Sequence, residues 1–290
     1  MKATTLAGDI TKCYEEGEKR IASKDYSNAL KSFKQAAEQG HALAQNYMGL
    51  MYAKSLGVSQ DFMKAEHWFR QSAEQGEPLA QNNLGLMYAR GEGVAQDYQQ
   101  AVFWLLKAAE QGNSEAQYNL AFMYAKGQGV TQNDEQAVHW FRKAAEQGDE
   151  IAQYNLAFMY EKGIGVAQDY QQAVFLYSMA AGQGSTDAQL NLGGLYDAGE
   201  GVEQDYKQAV SWWTKAAEKG HPVAQNNLGL MYAQGLGVNQ DYVEAYKWFT
   251  LSSLAGEESA TNGLKIAESL MTKDQITEAK ELLNDWKNSH

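Results

Sequence analysis

Two amphipathic stripes alternate along this chain and return every 36 residues. Between 76 and 111 the first stripe carries Ala80, Leu84, Met87 and Tyr88 three or four residues apart, the spacing that lines up one side of a helix. Polar residues fill the positions between, so 79–90 reads as an amphipathic helix, here helix A. Gly91-Glu92-Gly93-Val94 ends it, because glycine closes a helix in the left-handed conformation at little cost. Asp97 then suits an N-cap, and Tyr98, Ala101, Val102, Leu105, Ala108 and Ala109 form the stripe of helix B, which runs to Gly112. Two helices joined by a short turn make an αα-hairpin.

The glycines Gly40, Gly76, Gly112, Gly148, Gly184, Gly220 and Gly256 mark the period without a slip. Six such units occupy 40–255. A constant period of this length implies units that bury their apolar faces against their neighbours. The expected fold is all-α: a right-handed α-solenoid superhelix of about eight antiparallel helix hairpins, forming one domain over 1–290. Gly17, Tyr26, Ala29, Phe33 and Ala36 keep a related spacing with a shorter turn, so 5–39 is predicted as an N-terminal capping pair. Residues 256–290, with helices expected over 260–271 and 274–287, are predicted as a C-terminal capping pair.

Ala80, Leu84, Gly85, Tyr88, Gly91, Gly93, Val94, Asp97, Ala101, Trp104, Ala108, Ala109 and Gly112 together resemble the pattern of the Sel-one-like repeat family, a relative of the tetratricopeptide repeat. The resemblance covers about three-quarters of the chain. Departures are few: Ser55 and Leu56 at the first loop, Asn133-Asp134 for Asp-Tyr, and Leu176 at a tryptophan position. The resemblance implies a bacterial protein-interaction scaffold or adaptor without catalysis. It also brings two other roles, an immunity protein that neutralises a toxin effector and a β-lactam-binding or hydrolysing enzyme. Members linked to β-lactams use cysteine pairs in each repeat, which this chain lacks.

Composition narrows the classes further. Cys13 is the one cysteine, so no internal disulfide or cysteine-based metal site is expected. Pro78 and Pro222 each stand two residues after a repeat glycine, where a first helical turn tolerates the missing N–H. A net charge of −12 argues against nucleic acid and anionic membranes as partners, since both are polyanions. The N-terminal residues lack the apolar run of a secretion signal, which makes the cytoplasm the expected compartment, or the periplasm or exterior if a signal was removed. The Gly-x-Gly-Val loops lack the strand and third glycine of a dinucleotide fingerprint and the Gly-Lys-Ser/Thr of a P-loop. His41, His67, His139, His221 and His290 show no metal-ligand spacing. No cofactor, metal or catalytic residue is expected, and the partner is a protein or peptide of unknown identity.

Comparing the units with one another separates scaffold from variation. Counting from each repeat glycine, positions 4, 8, 11 and 12 of helix A barely change, whereas 3, 6, 10, 13 and 14 lie on the opposite side of the wheel and differ between units. In tetratricopeptide arrays that face lines the concave groove. Tyr118, Phe122, Tyr154 and Phe158 supply four aromatics in the middle units, and Gly194 follows where a depression is expected. These rings are either binding anchors or packing between neighbouring A helices. Lys54, Arg90, Lys126 and Lys162 form a basic row at position 14, with Glu161 and Asp197 at position 13 where the row ends. The row either orients a polar peptide or compensates helix dipoles. Asn83, Asn119, Asn155 and Asn191, continued by Asn227, make an amide ladder that suits either a ligand backbone or a bond between repeats. Trp68, Trp104, Trp140, Trp212 and Trp248 recur on helix B and are expected in the packing between hairpins.

Overall fold

A computed structural model describes the backbone over 2–289 and side chains from Asp9 to Trp286. His290 lies outside the described residues. All regular structure described is helical, in two compact units divided between Asp149 and Glu150.

The first unit holds α1 (Lys2–Ala22), α2 (Tyr26–Ala37), α3 (Ala42–Ala53), α4 (Phe62–Glu74), α5 (Pro78–Arg90), α6 (Tyr98–Glu110), α7 (Ser114–Lys126) and α8 (Asp134–Glu146). The second holds α9 (Glu150–Lys162), α10 (Tyr170–Gln183), α11 (Thr186–Ala198), α12 (Tyr206–Glu218), α13 (Pro222–Gln234), α14 (Tyr242–Leu254), α15 (Glu258–Leu270) and α16 (Lys273–Ser289). From α1 to α14 the helices pair two by two as hairpins, and within each unit the second helix of one hairpin packs on the first of the next, whereas α15 and α16, expected as a pair, do not pack closely on one another. Helix α16 packs back on α14.

The caps follow from the residues that the period repeats. Asp61, Asp97, Asp169, Asp205 and Asp241 each take extended backbone and accept a backbone N–H of the first turn of a B helix. Asn133 does the same for α8, so its departure from the pattern preserves the cap. Gly91 ends α5 at φ 71°, and Gly93 follows at φ 72°. A Cβ on Gly93 would stand 2.3 Å from the carbonyl oxygen of Phe62, which makes this glycine a point of contact between repeats. Ser55 takes the same left-handed conformation at φ 58°.

Each hairpin buries the invariant stripe: Ala80, Leu84 and Met87 of α5 meet Ala65, Phe69 and Ala73 of α4 and Trp104 of α6. Trp104, Trp140 and Trp248 are buried between hairpins, whereas Trp68 and Trp212 are half-buried. A glutamine pair recurring in four successive hairpins ties the start of helix A to the end of helix B within each repeat. Gln75, Gln111, Gln147 and Gln183 donate to Oε1 of Gln45, Gln81, Gln117 and Gln153 at 2.7–2.8 Å. The series stops at Lys219 and Ala255, and the buried Oε1 atoms of Gln189 and Gln225 have no hydrogen-bond partner among the described residues.

Candidate functional site

In the first unit the open side of the A helices forms a groove of about 390 Å³. Leu86 and Arg90 of α5 face Tyr118, Asn119 and Phe122 of α7 across it, and Leu105 and Met123 form apolar walls. The groove therefore brings together four of the candidate residues. Phe122 is 41% exposed, with the Lys126 ammonium 5.8 Å from its ring centre. Tyr118 is half-buried, and its ring lies 6.0 Å from that of Phe141. Burial, reinforced by the charge of Asp149, pushes the Tyr118 hydroxyl above its usual pKa. Lys54 lies at the exposed end of α3, apart from this groove.

The amide ladder in this unit is engaged between repeats. Asn83 Nδ2 donates to Asn46 Oδ1 at 3.0 Å, and Asn119 Nδ2 to Asn82 Oδ1 at 3.3 Å. Position 6, expected on the open face, is instead buried in these repeats, with Asn46 2% and Asn82 1% exposed. A helical wheel describes one helix, and the neighbouring A helix that covers this flank is outside it.

In the second unit Tyr154 is half-buried with its ring 5.7 Å from that of Tyr177, while Phe158 is 38% exposed. The Lys162 ammonium lies 5.9 Å from the Phe158 ring centre and pairs with Glu161. Asn155 donates to Ile151 O in its own helix at 2.7 Å. Asn191 Nδ2 donates to Tyr177 Oη at 2.9 Å, and that hydroxyl donates to Glu161 Oε2 at 2.7 Å. Tyr177 is fully buried, and desolvation with the Glu161 carboxylate holds its hydroxyl far above the ordinary pKa. Glu161 is thus occupied by Tyr177 and Lys162. Asp197, the other acidic residue at position 13, lines a separate cavity of about 520 Å³ beside Gly194.

Among the described residues no cluster of histidine, cysteine or carboxylate groups could hold a metal ion, and no helix is long and apolar enough to cross a membrane.

The Sel1 repeat model matches seven segments, 3–41, 42–77, 78–113, 114–149, 151–185, 186–221 and 222–257. The chain belongs to the Sel1 repeat family. The first matched segment takes in the N-terminal pair, whose shorter turn is a variant of the same unit. A crystal structure of a Sel1 repeat protein from Oxalobacter formigenes is 36% identical, covers 83% of this chain and 99% of its own, and has a TM-score of 0.72. A protective antigen of uropathogenic Escherichia coli with an SLR fold is 29% identical over 97% of this chain and 84% of its own, with a TM-score of 0.62. An immunity protein of Pseudomonas aeruginosa is 21% identical over 76% of this chain and 83% of its own, with a TM-score of 0.41, too distant for its role to bear on this chain. No curated protein sequence matches.

Within this Sel1 repeat frame, sequence reasoning missed two polar features. The glutamine series was visible as glutamines recurring at positions 5 and 35, but their pairing required knowing which helices adjoin. The Asn191–Tyr177–Glu161 network depends on Tyr177 standing where the other repeats carry Phe69, Leu105, Phe141, Trp213 or Phe249.

Proposed function

We propose that this protein is a non-catalytic interaction scaffold that binds an extended segment of a protein partner along the open face of its A helices. Sel1 repeat proteins are generally protein-interaction scaffolds, which supports the class of function. The observation that carries the site is the first unit's groove, where exposed Phe122 and apolar Leu86, Leu105 and Met123 adjoin Arg90. Such a surface suits a segment with an apolar anchor beside a carboxylate: the ring and aliphatic walls exclude water and the guanidinium offers a planar fork of donors. Tyr118 and Tyr154 contribute chiefly by packing on Phe141 and Tyr177, and Asn83 and Asn119 by holding adjacent repeats.

Selection of a displayed random peptide library on the full chain tests this reading. Wild type is expected to enrich peptides pairing an aromatic or aliphatic residue with Asp or Glu, and an Arg90→Ala/Phe122→Ala variant with an unchanged circular dichroism spectrum is expected to lose them. Retention of the same peptides by the folded variant refutes the site. Absence of any enrichment on wild type refutes peptide recognition by this face.

A further inference from the structure

One repeat departs from the others at two positions that line the same cavity. At position 10 the six units carry Leu50, Leu86, Phe122, Phe158, Gly194 and Leu230, so only α11 withdraws a large side chain. Nothing lies within 4 Å of where a Gly194 Cβ would stand. At position 13 the residues are Ala53, Ala89, Ala125, Glu161, Asp197 and Ala233. Gly194 and Asp197 are three apart on one helix and share a face. Both line the cavity of about 520 Å³ that Asn227, Leu230, Met231 and Trp213 help to wall.

Two polar side chains of this cavity, Asp197 and Asn227, are not used by the fold, whereas Gln204 Nε2 donates to the Asp197 backbone carbonyl at 2.6 Å and Trp213 Nε1 donates to Leu190 O. The Asp197 carboxylate has no ion pair or hydrogen bond among the described residues, in contrast to Glu161. Its pKa is raised by burial, with no cation opposing the shift. Asn227 belongs to the amide ladder, yet the preceding repeat has Leu190 where Asn46 and Asn82 accept in the first unit. Among the described residues its side chain has no hydrogen-bond partner. A half-buried carboxylate and an amide carbonyl therefore stand in a pocket with an apolar wall, on a chain of net charge −12.

We infer that the Gly194 cavity receives an arginine side chain of a protein partner. A guanidinium supplies planar donors for the Asp197 carboxylate and the Asn227 carbonyl, and its aliphatic stem matches Leu230, Met231 and the Trp213 ring. An ammonium is more strongly hydrated and presents a point charge, so it fits less well. The inference rests on the A-helix face being a binding surface, and it assigns this unit the opposite ligand charge from the Arg90 groove.

The test titrates the full chain with n-butylguanidinium, n-butylammonium and n-butanol while following the Trp213 indole N–H by ¹⁵N NMR. That group donates to Leu190 O at 3.0 Å in the cavity wall. Saturable shifts with butylguanidinium, weaker ones with butylammonium and none with butanol are expected. Asp197→Asn, which keeps the shape, should weaken butylguanidinium about tenfold, as loss of a charge-assisted hydrogen bond entails. Gly194→Leu should abolish binding while raising Tm, since it fills the space with the residue that the following repeat carries as Leu230 and removes a helical glycine. No saturation, equal binding by Asp197→Asn, or a stronger response to butanol or butylammonium would overturn the inference. Arginine-bearing peptides selected on wild type separate the two readings: if they survive Gly194→Leu but not the Arg90/Phe122 variant, the arginine pocket fails and the face stands. If butylguanidinium saturates while no peptide is enriched, recognition of an extended segment at the Arg90 groove fails and the Gly194 cavity stands as a guanidinium site.

Discussion

Ala255→Gln should stabilise this protein, because it extends the glutamine series to a repeat that has the acceptor and lacks the donor. Gln225 Nε2 donates to Ala217 O at 3.1 Å, as Gln81 Nε2 donates to Ala73 O at 3.2 Å, so both amides are held in the same orientation. In the earlier repeat Gln111 reaches Gln81 Oε1 at 2.8 Å and Gly76 O at 3.0 Å. In the later one Gln225 Oε1 is buried without a partner. The backbone that must present the new side chain is already in place: Gln111 has φ −83°, ψ 2° and Ala255 has φ −82°, ψ 2°. A net hydrogen bond contributes about 0.5–1.5 kcal/mol, and an unsatisfied buried acceptor carries a penalty of about 1–3 kcal/mol that the new bond relieves. Ordering an exposed glutamine costs up to about 1.5 kcal/mol. The expected net gain is about 1 kcal/mol, a factor of about five in the local folding equilibrium.

Repeat proteins transmit stability mainly to neighbouring units, so the assay must resolve position as well as total. Urea melts should give a higher midpoint, and amide exchange should slow about fivefold across α13 to α15 with little change in α9. Gln111→Ala serves as the reciprocal control and should cost about 1–3 kcal/mol by orphaning Gln81 Oε1. If Gln111→Ala destabilises and Ala255→Gln does nothing, matched cap geometry is insufficient to form the bond. If both are silent, the series accompanies the fold without stabilising it.

Gly93→Ala should destabilise by more than about 3 kcal/mol, since the added Cβ meets Phe62 O at 2.3 Å, whereas Gly91→Ala should cost only the left-handed backbone penalty of about 1–2 kcal/mol; thermal melts of the pair decide it. Tyr177→Phe removes both bonds of the buried hydroxyl and should cost about 1.5–3 kcal/mol in urea denaturation, with exchange protection lost first in α9 to α11. Asp61 is held below the usual carboxylate range by the Lys64 backbone N–H, its side chain and its charge. The stability it contributes is present above the unfolded-state carboxyl pKa and is lost as pH falls through the depressed folded value. Asp61→Asn, which keeps a capping oxygen, should therefore lessen the acid dependence of the melting midpoint.

The hairpin plan was legible because its determinants are local and repeated. Asp97 caps α6 and Gly91 closes α5 where the spacing of Ala80, Leu84, Met87 and Tyr88 says a helix must stop and restart. The same information is written once per repeat, so a departure such as Asn133 is read against the others and found to keep its cap. The candidate site was harder to read because a surface between repeats is made by two helices at once. Position 6 looked open on a wheel, yet α5 covers Asn46 and an amide from Asn83 completes it. Tyr118 and Tyr154 belong as much to the rings beneath them as to solvent, and only Phe122 and Phe158 remain well exposed.

What varies between repeats carries two meanings, and partners distinguish them. Glu161 is exceptional in sequence, but Tyr177 is exceptional beside it, and the two satisfy one another inside the second unit. Asp197 is exceptional beside Gly194, and that combination makes space instead of filling it. A carboxylate withdrawn from water between repeats is offset either by a residue of the same chain, as at Glu161, or by a group brought by another molecule. Leaving a carboxylate and an amide half-buried and unpaired is costly, and in this chain that cost falls at the one A helix from which a large side chain has been withdrawn.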